Sequence, residues 1–270
     1  MSGRENGSAS AERDTALAAY TLRLGDDALV ASQRLAELAA RGPQLEEDVA
    51  LANISLDLLG QARSLLTYAG SLEERLTGVL RTEDDLAYLR DEDQFANCRL
   101  VELPNTDFAH TVARQLLFSA YQFELYTALA GSADETLAGI AGKAVKEVAY
   151  HRDHASGWTV RLGDGTEESS ERMAAALEAA WPYTAEPFAS DPVFRSVAAA
   201  GLGADPPELR PAWDAFIDGV LAEAGLARPE VPPITGPAGM GGRQGVHTEA
   251  FGYLLAEMQH LHRSHPGASW

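Results

Sequence analysis

The longest apolar pattern in the chain covers residues 43–70. Leu45, Val49, Ala52, Leu56, Leu59, Ala62 and Leu66 recur at gaps of three and four, the period of one helix face. Leu51, Ile54, Leu58 and Leu65 fill the other faces, so 49–62 is apolar nearly all round. A helix of that kind is covered on every side, as inside a bundle. Asp57 is the one formal charge in the run. A carboxylate so placed must be paired, hydrogen-bonded, protonated or metal-bound, because an isolated buried charge is too costly.

The same period predicts a first helix over 14–41, with Leu24, Ala28, Ala31, Leu35 and Leu38 as its inner stripe. Gly42 followed by Pro43 ends it and starts the next, and so short a connection makes the two helices antiparallel. The acidic groups Glu83–Asp84–Asp85 and Asp91–Glu92–Asp93 suit the first turns of one or two short helices. Two more long helices follow over 107–130 and 134–162, joined by Gly131–Ser132 and closed by the GDG of 163–165. Four long helices in two hairpins with a longer crossover form the ferritin-like arrangement. The predicted class is therefore all-α: a ferritin-like four-helix bundle with additional C-terminal helices over 166–180, 192–200, 206–224 and 246–262. The core bundle is expected over 14–163 and an extension over 164–270, with a disordered polar tail over 1–12. The Pro- and Gly-dense stretch 225–245 is expected to lack regular structure and to pack against something.

Composition narrows the function classes. The 270 residues are 46% hydrophobic, enough for a large core, and carry a formal net charge of -19. Nucleic acid and anionic membrane surfaces would be repelled, so neither is expected as a partner. Cys98 is the single cysteine, which excludes an internal disulfide and suits a reducing cytoplasm. The polar start lacks a signal-peptide core, and no apolar run reaches the roughly 20 residues of a membrane span.

Candidate chemistry follows from the helix faces. Glu124 shares a face with Ala113, Leu117, Ala120 and Ala128. Glu147, His151 and His154 share one with Leu137, Ile140, Ala144 and Trp158. Gln33 and Glu37 border the stripe of the first helix. Carboxylates and imidazoles converging in a bundle suggest a di-iron or di-manganese site, which needs a Glu from each of two helices and a Glu-x-x-His pair from each of the others. The histidine positions of that template hold Gly60, after Asp57, and Tyr150, after Glu147. His151 comes one residue late, turned roughly 100° from the ligand direction. The carboxylates Asp57, Glu124 and Glu147 remain as a degenerate remnant, with His151 beside them and Glu37 a further candidate. The plainer reading pairs these carboxylates with Arg63, Arg114, Lys143, Lys146 or His151. His247, His260, His262 and His265 are expected in or near the last helix and solvated. GMGGRQG (239–245) is not a phosphate loop, no GxSxG elbow occurs, and Cys98 is expected only to pack.

Five strings, in order, carry a resemblance: YTLRLGDDALV (20–30), LANISLDLLGQAR (51–63), LPNTDFAHTVARQ (103–115), KEVAYHRDH (146–154) and GVHTEAFGYLLAEMQ (245–259). With the PGASW end they resemble the ferritin-like, non-catalytic C subunits of bacterial phenylacetyl-CoA 1,2-epoxidases, over about residues 20–270. The resemblance implies a structural subunit, itself without metal or cofactor, that pairs with a di-iron catalytic subunit in aerobic phenylacetate catabolism. It implies a reductase with flavin and an iron–sulfur cluster that delivers electrons from NADPH, and phenylacetyl-CoA as the substrate of the complex. No catalytic or cofactor-binding residue is carried over. Two other readings stand beside it: a di-iron or di-manganese oxidase using Asp57, Glu124, Glu147, His151 and His154, and a homo-oligomer with no oxygenase partner.

Overall fold

The computed structural model describes residues 2–38 and 40–268, with side chains from Glu12 onward. Among them there is no strand, and the long helices fall where the apolar period places them. α1 (Ser2–Ala36) packs along α2 (Leu45–Thr77), and α3 (Phe108–Leu129) along α4 (Glu135–Gly163); α2 meets α4 to close the bundle. α1 takes in the backbone of the stretch expected as a tail; Met1 and the side chains of 2–11 lie outside the described residues. The two hairpins and the crossover of 78–107 form the expected ferritin-like bundle. α5 (Glu167–Ala180) and α7 (Arg210–Glu223) pack on α3 and α4, and α6 (Pro192–Ala199) on α1.

Local chemistry fixes most boundaries. Asp107, Asp134 and Thr166 accept backbone N–H groups of the first turns of α3, α4 and α5, and Asp191 does so for α6. α2 runs past Gly70, contrary to expectation. Gly70 is a point of close approach: a Cβ there would lie 2.0 Å from the Arg81 carbonyl oxygen. The stop is Gly78, at φ 76°, which lets its N–H return to the Glu74 carbonyl. α1 ends at Ala36 rather than residue 41. The acidic stretches start a π-turn, Asp85–Leu89, and a 3-10 turn, Glu92–Gln94.

The face of α2 is also corrected. Leu51, Ile54, Leu58, Ala62, Leu65 and Leu66 are buried, whereas Leu45, Val49 and Leu56 are 73%, 54% and 63% exposed, so the expected cover on every side of this helix is corrected to cover on its inner side. An all-round apolar pattern does not encode which side meets the core.

The 225–245 stretch contains a short helix, α8 (Pro237–Met240), and a 3-10 turn, Gly242–Gln244, so the expectation of no regular structure fails there. The expectation that it packs holds. Gly242 and Arg243 are buried, and a Cβ on Gly242 would lie 2.3 Å from the Asn97 carbonyl oxygen. The last helix, α9 (Glu249–Ser264), starts after Thr248, so His247 precedes it.

Candidate functional site

The antiparallel pair α2 and α4 is joined by four polar rungs. Glu47 Oε2 lies 2.8 Å from His154 Nε2, and Asp57 Oδ2 lies 3.1 Å from His151 Nε2. Gln61 donates to Glu147 at 3.1 Å, and the Tyr68 hydroxyl donates to Asp134 at 2.6 Å. Lys143, one turn before Glu147, pairs with it at 3.3 Å.

His151 is the only fully buried partner among the expected remnant residues. The buried stripe of α4 is Leu137, Ala141, Ala144, Val148, His151, Ala155 and Thr159. This phase turns His151 inward and Tyr150 outward, opposite to the assignment read from the template. Tyr150 is 51% exposed, and an added Cβ on Gly60 would meet nothing within 4 Å. Both expected histidine positions thus look away from the core. Burial holds the His151 imidazole below its usual value, against the pull of Asp57 and Glu147. The neutral ring donating from Nε2 satisfies Asp57 and leaves Nδ1 buried without a partner. Asp57 itself is 37% exposed, so the expectation of a buried charge is corrected to a half-exposed one at the bundle edge.

Glu124 is not with the others. It pairs with Arg152 at 3.7 Å, and that guanidinium lies over the rings of Phe123 and Phe216. Of the expected cationic partners, only Lys143 and His151 meet these carboxylates. Arg63 is exposed and binds Glu83. Lys146 is exposed, and Arg114 serves the crossover, donating to the Leu103 carbonyl at 2.6 Å and to Asn105 at 2.5 Å. Burial and then the neighbouring Arg34 lower Arg114 to about 9.

A metal does not fit this arrangement. Asp57, Glu147, Glu124 and Glu47 each face a protein donor, and among the described residues no three His, Cys, Asp or Glu side chains are grouped to hold an ion. The displaced set of Asp57, Glu124, Glu147, His151 and His154 is divided among three separate pairings and the Gln61–Glu147 bond.

The densest polar cluster lies elsewhere, where α1 meets the crossover and the 242–248 turn. Asp27 binds Arg243 through two bonds of 2.9 and 2.7 Å and accepts the Cys98 N–H at 2.7 Å. Asp26 pairs with Arg90 and accepts the Ala96 N–H at 2.9 Å. Glu186 accepts the Arg99 and Gly242 N–H groups at 2.6 and 2.8 Å. Glu102 meets His247 Nδ1 at 2.6 Å and accepts the Thr248 N–H at 2.7 Å. The His247 side chain is fully buried, not solvated as expected; burial lowers its pKa, but Glu102 and the Phe95 carbonyl outweigh that and raise it. Burial likewise opposes the charge on Arg243, and Asp27 overrides it. The signal for this cluster was Asp26–Asp27 within the apolar run of α1.

The sequence matches, over residues 2–270, the family described as phenylacetic acid catabolic protein. The chain belongs to that family. A relative from Escherichia coli (strain K12), the C subunit of 1,2-phenylacetyl-CoA epoxidase, is 46% identical over 254 residues, covering 94% of this chain and 99% of the relative. In this chain the α2–α4 seam is held together by paired side chains.

Proposed function

We propose that this chain is the structural C subunit of a phenylacetyl-CoA epoxidase complex in aerobic phenylacetate catabolism, and performs no chemistry itself. The observation that carries the reading is the α2–α4 seam, where every candidate ligand already has a protein partner: Asp57 with His151, Glu147 with Gln61 and Lys143, Glu47 with His154. The near full-length similarity to an epoxidase C subunit supports the same reading. The catalytic partner subunit would hold the di-iron centre. A cytoplasmic reductase with flavin and an iron–sulfur cluster would supply NADPH-derived electrons, and the ring of phenylacetyl-CoA would be epoxidised with O2. This chain's part is to hold the catalytic subunit in its working shape. Co-expression tests it: the pair should co-purify and, with reductase and NADPH, consume phenylacetyl-CoA, while this chain with reductase alone consumes none. Turnover by this chain without the catalytic subunit would overturn the proposal.

A further inference from the structure

Residues 49–62 of α2 are apolar nearly all round, yet α1 and α4 leave the outer side of this stretch open. Leu45, Val49 and Leu56 stand 73%, 54% and 63% exposed along its outer side, and Tyr150 on α4 is 51% exposed at the level of Leu56, since the neighbouring Asp57 and His151 are bonded. A row of large apolar side chains left in water marks an association surface. Beside it the seam opens into a groove of about 1260 Å³, with Gly60, Ser64, Arg63 and Lys143 at one end and the acidic Glu74, Glu83, Asp134 and Glu135 also in its lining. Added Cβ atoms on Gly60 and Gly139 would touch nothing within 4 Å, so another backbone has room to approach.

Charge tells what covers it. The chain has only two lysines, Lys143 and Lys146, one turn apart on this side of α4, in a molecule of net charge -19. Both are exposed; Lys143 reaches Glu147 of its own helix at 3.3 Å, and Lys146 makes no ion pair among the described residues. A second copy would bring -19 against -19, which disfavours self-association. Resting on the function proposed above, we infer that the outer face of α2 and α4 is the docking surface for the catalytic subunit. That subunit would present a helical face with apolar side chains opposite Leu45, Val49, Leu56 and Tyr150 and carboxylates opposite Lys143 and Lys146.

The scarcity of lysine makes the test direct. The co-purified pair and this chain alone are treated with an amine-acetylating reagent, and acetylation of Lys143 and Lys146 is followed by mass spectrometry against the N-terminal amine. The inference expects both lysines to react roughly tenfold or more slowly in the pair, as buried interface positions do. It also expects Leu56→Asp with Lys146→Glu to weaken the pair by an order of magnitude or more, while Tyr253→Asp on α9 leaves it intact. Lysines that react equally fast in a stable pair would overturn the docking face and leave the proposed function standing. No pair at all with the wild-type chain would overturn the function. Protection that appears in this chain alone as concentration rises would assign the face to a second copy and overturn the inference.

Discussion

Asp27→Ala should be among the most damaging single changes in the chain. Asp27 and Arg243 are each 4% exposed, and the carboxylate makes two bonds to the guanidinium and one to the Cys98 N–H. Removing it leaves a cation in the core, with only the Ala96 carbonyl at 2.8 Å and a long contact to the Arg23 carbonyl at 3.4 Å. Truncating one member of a buried pair costs about 3–5 kcal/mol, most of it from the stranded charge. Asp57→Ala, by contrast, removes one bond to a neutral imidazole at a half-exposed position, worth about 0.5–1.5 kcal/mol. Urea denaturation of both variants at pH 7, read as midpoint shifts at an unchanged slope, measures the difference. Adding Arg243→Met to Asp27→Ala should recover part of the loss, because no charge is then stranded. An Asp27→Ala cost no larger than that of Asp57→Ala, or no recovery in the double variant, would refute the reasoning.

Other changes separate the remaining contacts. Gly70→Ala drives a methyl against the Arg81 carbonyl and should cost about 1–3 kcal/mol in the same denaturation, whereas Gly60→Ala, in open space within a helix, should gain about 0.5–1 kcal/mol. His247 has a folded-state pKa raised above 6.5, so its contribution is full below 6.5 and is lost as pH rises through the raised value. The stability gap between the wild type and His247→Gln should therefore narrow on going from pH 6.5 upward; a gap that widens would reverse the assignment. Cys98 is fully buried, and burial pushes its thiol well up, so a thiol reagent should leave the native chain unlabelled and label one thiol after unfolding.

The parts of the fold legible in the sequence are those set by near neighbours. Asp107, Asp134 and Thr166 sit where their side chains cap the helices that follow, and the start of each helix was read within a residue. The rotation of α2 was not legible, because Leu56 and Leu58 are equally apolar and only the packing of the whole chain tells them apart. Gly70 read as a stop because its reason, the Arg81 carbonyl, is brought in by the crossover. The apolar face of the fourth long helix already placed His151 with the core positions; what misled was the template, which fixed the ligand direction from Glu147, at the edge of the buried stripe rather than at its centre. Asp27 and Arg243 are 216 residues apart, and Glu102 and His247 are 145 apart, so no local pattern pairs them. What the sequence did carry was the chemical type of the seam, acidic groups facing histidine and lysine, and the absence of imidazole from the two template positions.

The most direct measurement is an anaerobic titration of the isolated chain with Fe(II), followed by desalting and metal analysis, on the wild type and on Asp57→Ala. With Asp57, Glu147 and Glu47 already engaged by His151, Gln61 and His154, both proteins should come through without stoichiometric iron. Iron retained by the wild type and lost from Asp57→Ala would contradict the account.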